Sequence, residues 1–283
     1  MSKATLWRQQ LASQIGNQYA QHSSVDAVAL TGSVARNLAD QYSDIEIHVF
    51  WKQPPTDKDR KNIISQTGGE IFQFWPLEEN EWSESFIVEG VKIDLSGFLS
   101  ESLDQIISDV VNDFELTDYK QILLSSIQHA KAIHRPEKLK IWQAQIEKYP
   151  DVLAVKMVEH HLNFGPYWGP EMLAERDDLV FLYDLINKSQ KNILRVLLGL
   201  NRMYLAHPGF KWMAQTIDAM TIKPDQLELR MKRIYQASPV QAVAELHSVI
   251  EELFDLIETH LPNVEIESAK SWFNHRRAPI ESA

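Results

Sequence analysis

Asp44, Glu46 and Asp94 are acids set in otherwise apolar, strand-like runs, and Gly32-Ser33 stands one short helix ahead of the first two. In "SDIEIHV" the carboxylates alternate with Ile45, Ile47 and Val49; in "GVKIDLSGF" Asp94 falls between Ile93 and Leu95. Successive side chains of a strand point to opposite faces, so the apolar residues share one face and Asp44, Glu46 and His48 share the other. Adjacent carboxylates repel, and the face carrying them has to meet water or cations. Carboxylate oxygen suits a hard divalent cation such as Mg²⁺. If the strand of Asp94 neighbours that of Glu46, three carboxylates converge, a set suited to two-metal phosphoryl or nucleotidyl transfer. Gly32 lets a ligand come close to the backbone. The helix start beside it offers unpaired N–H groups and the positive end of a dipole, and Ser33 can cap that helix or bind a phosphate oxygen. The pair suits a polyphosphate.

Secondary-structure elements must carry these residues. Leu6, Leu11, Ile15 and Tyr19 recur at helical spacing and predict a helix over 3–22. "VDAVAL" predicts a strand, "VARNLAD" a short helix, "YSDIEIHVFW" an alternating strand and "EIFQFW" another. A helix through Ile63 and Ile64 lies between the last two, and "SFIVEG" and "VKIDLSGF" predict a hairpin around Glu89-Gly90. "SLDQIISDVVNDF" is helical, and helical patterns then run nearly to the end. The longest, "DDLVFLYDLINKSQKNILRVLLGLNRMYL", carries Leu182, Leu185, Ile186, Ile193, Val196, Leu197 and Leu200 at three-to-four spacing and is expected to stop at His207-Pro208-Gly209. Two further helices are expected near 224–237 and 239–260. The expected class is α+β: a domain over 1–115 with a small mixed sheet and flanking helices, then an all-helical domain over 116–283.

Composition narrows the chemistry. The 283 residues are 44% hydrophobic and 24% charged, as in ordinary globular proteins. The net charge of −11, from 39 acids against 28 lysines and arginines, disfavours a nucleic-acid partner, whose backbone calls for a basic face. It is compatible with a cationic small molecule. The absence of cysteine excludes disulfides and thiolate chemistry. The N-terminus lacks the continuous apolar core of a signal peptide, and "ILRVLLGL" is too short to cross a bilayer, so a cytoplasmic location without membrane contact is expected.

Gly32-Ser33, a helix-length spacer, Asp44-x-Glu46 and a later strand Asp94 together resemble the DNA polymerase β-type nucleotidyltransferase superfamily, and "GSVAR" before "SDIEI" is similar to its small bacterial members. The likeness covers roughly residues 25–98. More loosely, "LLGLNRMYLAHPGFKWM" is similar to the helical domain of antibiotic nucleotidyltransferases that act on aminoglycosides or lincosamides. The resemblance implies that Asp44 and Glu46 ligate two Mg²⁺ ions and that Asp94 completes the metal site beside the attacking hydroxyl, where it can serve as general base. An acid of the second domain is the alternative base. Gly32 and Ser33 would hold the β- and γ-phosphates of ATP or another nucleoside triphosphate. A small-molecule hydroxyl would attack the α-phosphorus, and pyrophosphate would leave. A homodimer is compatible with this reading.

Other residues have two readings each. Arg36 can bind phosphate or pair with an acid. Lys211 can reach the triphosphate, as a helical-domain lysine does in the resembled enzymes, or be a solvated lysine after a turn. Lys188 and Lys191 compete with it or form a polar helix face. In "VEHHLNFGPYWGPEMLAERDD", Tyr167 and Trp168 can stack on an acceptor ring while Glu159 or Glu171 binds a cation; a helix end and loop is the alternative. Tyr204 can pack near a nucleobase or in the core, and His48 is expected to be structural. The competing function is a nucleotide-binding regulator or toxin–antitoxin partner that modifies or binds another protein.

Overall fold

The structure, a computed structural model, describes residues 3–78, 80–165 and 169–275. The chain separates into two compact units. The first comprises 1–115 with 123–148, and the second comprises 116–122 with 149–283.

The first unit runs α1 (Lys3–Tyr19), β1 (Val25–Leu30), α2 (Gly32–Ala35), β2 (Ile45–Trp51), α3 (Asp57–Gln66), β3 (Glu70–Glu78), β4 (Glu81–Val88), β5 (Val91–Leu99), α4 (Ser100–Val111), α5 (Asp118–His129), β6 (Lys131–His134) and α6 (Pro136–Ile146). The first residues of α5, up to Ile122, belong to the second unit. Six strands form one mixed sheet in the order β3-β4-β5-β2-β1-β6. The central pair, β2 and β5, is parallel, and the other pairs are antiparallel. The β4–β5 hairpin turns through Glu89 and Gly90, both at positive φ (50° and 78°), the geometry of a two-residue type I′ turn. β6 was not legible in the sequence: four residues with no clean alternation pair along β1 as an edge strand.

Alternation decides what each face of the sheet meets. Ile45, Ile47, Val49 and Trp51 are fully buried in a core with Leu11 and Ile15 of α1 and Ile63 and Ile64 of α3, and Trp82 of β4 joins them. On the opposite face Phe50 stacks on Phe98 of β5 (5.7 Å between rings) and meets Trp142 of α6 at a tilt (4.6 Å). In α1 the buried stripe is Arg8, Leu11, Ile15 and Tyr19 rather than one led by Leu6, which is 48% exposed.

The second unit contains α7 (Asp151–His160), α8 (Glu171–Glu175), α9 (Leu179–Leu200), α10 (Met213–Asp218), α11 (Leu227–Ile234), α12 (Pro239–His260) and α13 (Glu267–Asn274). Leu182, Ile186, Ile193, Leu197 and Leu200 of α9 pack with Leu246, Ile250, Leu253 and Ile257 of α12 in one apolar core. α9 ends at Leu200, before the expected His207-Pro208-Gly209 break, because Asn201 stops it. The Asn201 side-chain amide donates to the Leu197 and Ile222 carbonyls, and its oxygen accepts from the Thr221 and Ile222 N–H groups. Among the described residues, no helix is long and apolar enough to cross a membrane.

Candidate active site

β2 begins at Ile45, so Asp44 sits just before the strand rather than in it. What holds Asp44 at that mouth is a turn pinned from two sides. Within the turn, Asp40 Oδ1 accepts from the Tyr42 N–H (2.9 Å) and the Ser43 hydroxyl (3.0 Å). From α1, the buried Arg8 donates through Nε to the Ser43 carbonyl (2.8 Å) and through its other nitrogens to the carbonyls of Gln41 and Ala4, while Thr5 reaches the Ala39 carbonyl. Sequence reasoning missed Arg8. The available signal was a charged residue at a core position of an amphipathic helix.

Glu46 and Asp94 are direct register partners on the parallel strands β2 and β5. The Ser85 hydroxyl donates to Asp94 Oδ1, and the Lys92 ammonium donates to Oδ2 at 2.8 Å. The hydrogen bond to Asp94 holds Lys92 above the ordinary lysine range, and the charges of Asp94, Asp44 and Glu46 all act in the same direction. Lys92 thus contacts Asp94 directly and lies within the electrostatic reach of Asp44 and Glu46. Lys92 was also missed. It lies two residues before Asp94 on the same strand face, which is the signal that could have found it.

Gly32 opens α2 at φ +61°, a left-handed conformation that favours glycine. A Cβ built there would fall 1.2 Å from Glu46 Oε2, so the glutamate carboxylate occupies the space that any other residue at 32 would fill. Thr31 links the same two elements: its N–H and its hydroxyl both donate to the Glu46 carbonyl, at 2.9 and 3.2 Å. The N-cap position of α2 is Thr31, so the reading of Ser33 as a plain cap does not hold. Arg36 follows on the same turn. Its guanidinium donates to the hydroxyl (2.9 Å) and carbonyl (3.3 Å) of Ser125 on α5. Burial lowers its pKa and the nearby Glu46 charge opposes that shift, so Arg36 is a half-buried cation beside the acids.

The polar face of β2 changes character after Glu46. His48 packs its ring against Phe98 (5.2 Å), and burial pushes its pKa down to about 4, so it is neutral and structural, as expected.

The remaining candidates lie in the second unit, whereas Asp44, Glu46 and Asp94 are held together wholly within the first. Lys211 and Glu159 are exposed. Tyr204 is a core residue, 3% exposed and 4.8 Å from the Tyr149 ring. Glu171 faces His247 at 3.4 Å. Tyr167 and Trp168 lie outside the described residues.

Among the described residues no three His, Cys, Asp or Glu side chains form a ready-made metal cage. The donor chemistry nevertheless fits magnesium: carboxylates at register-paired positions of two adjacent strands, one of them capped by an ammonium that a cation can replace.

Comparison with known proteins agrees with this geometry. Residues 13–122 match the model described as a nucleotidyltransferase domain, and 117–213 match a domain of unknown function, DUF4037. Most of the first unit therefore matches a nucleotidyltransferase domain, and the chain is an enzyme of the nucleotidyl-transferring class. No curated protein matches the chain. Two similar solved structures are a nucleotidyltransferase-like protein from Exiguobacterium sibiricum 255-15 (12% identity, 93% of this chain and 77% of that one, TM-score 0.40) and a cytoplasmic RNA terminal U-transferase (10% identity, 99% and 95%, TM-score 0.31). At those scores the likeness carries no argument for substrate.

Proposed function

We propose that the protein transfers AMP from ATP to a hydroxyl of a small molecule and releases pyrophosphate. The observation that carries this reading is the register pairing of Glu46 with Asp94, with Asp44 at the strand mouth and Gly32 against the Glu46 carboxylate. Asp44, Glu46 and Asp94 would hold two Mg²⁺ ions, which when bound neutralise charge on the phosphates at the reacting centre. The N–H groups at Gly32 and Ser33 and the guanidinium of Arg36 bind the phosphate tail. The acceptor oxygen attacks the α-phosphorus, and the bond to the β-phosphate oxygen breaks on the far side. Asp94 takes the hydroxyl proton, and Lys92 turns its ammonium away from Asp94 to leave that oxygen able to accept it. Lys211 from the helical unit is the second-unit candidate for the triphosphate, and Glu159 for the acceptor. Aminoglycosides and lincosamides are the first acceptors to screen.

The test is a screen of hydroxylated acceptors with ATP and Mg²⁺, read by mass for an added AMP and by pyrophosphate release. Wild type should release pyrophosphate, and Asp44→Asn should lose at least about 10³-fold in rate while melting within about 2 °C of wild type. Equal turnover by the two proteins removes Asp44 from the chemistry and the reading with it.

A further inference from the structure

The second unit contains a cavity of about 450 Å³ on the polar side of α9, within the size range of small-molecule sites. Lys188, Lys191 and Arg195 line it, at i, i+3 and i+7 along one helix face, with Asn192 between them and Trp272 of α13 forming a wall. No lining residue among those described is a carboxylate. The three cations differ in how far they are already satisfied. Lys188 pairs with Asp184 at 2.6 Å, but both are at least half exposed, and such surface pairs are weak and exchangeable. Lys191 has no ion-pair partner among the described residues. Arg195 is 12% exposed and gives one nitrogen to Asp118 (2.5 Å), while its Nε–H is buried with no acceptor among the described residues. A buried donor left unpaired is costly and is commonly satisfied by a water or a ligand oxygen. In a chain of net charge −11, a cavity whose charged lining is wholly basic is a local exception.

We infer that this cavity binds a small organic anion bearing a phosphate or carboxylate, with the anionic group at Lys188, Lys191 and Arg195 and the remainder against Trp272. The binding stands on the cavity alone. Its role rests on the function proposed above: the anion is either the acceptor's own group or the phosphate tail of the nucleotide. An anionic acceptor would set this enzyme apart from transferases of polycationic aminoglycosides.

Isothermal titration of inorganic pyrophosphate into the whole chain, in EDTA, tests the site without reference to turnover. Wild type should bind. Lys188→Gln with Lys191→Gln, both on the helix surface, should weaken binding at least tenfold with the melting temperature retained. Lys140→Gln, an exposed lysine on α6 of the first unit, should change it less than twofold. No binding by wild type, or binding retained by the double lysine variant, overturns the inference. A second titration with metal-free ATP identifies the source of the anion. Weaker ATP binding by the lysine variant assigns the cavity to the nucleotide tail, and unchanged ATP binding assigns it to the acceptor. Failure of AMP transfer to every acceptor would sink the proposed function and leave this binding result standing.

Discussion

At Gly32 two demands fall on one residue. The backbone is left-handed there, and the Glu46 carboxylate lies where a side chain would begin. Gly32→Ala should therefore cost about 1–2 kcal/mol in stability from the backbone alone. By displacing Glu46 it should also lower kcat by about 10²-fold, read by pyrophosphate release beside a urea titration. The sequence showed that glycine, the acids and their spacing, because glycine and paired acids in an apolar strand are rare and each has a stated physical reason. It did not show that the close neighbour of Gly32 would be Glu46, since that contact depends on how the β1–α2 turn folds over β2. Lys92 escaped for a similar reason: lysine on a polar strand face is common, and only the register reveals the acids it meets. Lys92→Met should lower the stability of the metal-free protein by about 1 kcal/mol, a few degrees in melting temperature and modest because the pair is partly exposed, and added Mg²⁺ should close the gap. Scanning fluorimetry in EDTA and in Mg²⁺ reads both halves of that expectation.

At the scale of elements, α1 serves the site as much as the core. Its apolar stripe packs under the sheet, and its polar residues Thr5, Arg8 and Gln9 fasten the chain between α2 and β2. Arg8→Ala would leave the Ser43 and Gln41 carbonyls without their charged donor. It should cost about 2–3 kcal/mol in a urea titration and reduce kcat by loosening Asp44, while Glu46 and Asp94 stay in register. An unchanged kcat would mean that Asp44 is positioned by something other than this turn. Strands with strict alternation and the I′ hairpin were readable because period and turn chemistry agree. Helix ends were not, because Asn201 stops α9 through bonds to residues distant in sequence, ahead of the proline and glycine that looked like the signal.

For the whole molecule, each unit holds a histidine whose pKa burial pushes to about 4: His48 in the sheet and His161 after α7. Both are depressed below the ordinary 6.5, so the unfolded chain binds more protons between those values. The stability tied to neutral imidazole is complete above pH 6.5 and is lost as pH falls toward 4, so stability rises with pH across this window. The melting temperature should fall by several degrees between pH 7 and about 4.5, and His48→Gln should flatten part of that slope. A slope of opposite sign would show that these rings are protonated when folded.

The buried tryptophans fall in one unit. Among the described tryptophans, Trp51, Trp82 and Trp142 are buried around the sheet, Trp7 and Trp75 of the same unit are exposed, and the helical unit has the half-buried Trp212 and the exposed Trp272. Emission from the three buried indoles shifts to the red when the catalytic unit opens, while far-ultraviolet dichroism is weighted toward the helices. The chain thus carries an intrinsic label for the half that holds the acids, and one cuvette can distinguish a loss of that half from a loss of the whole.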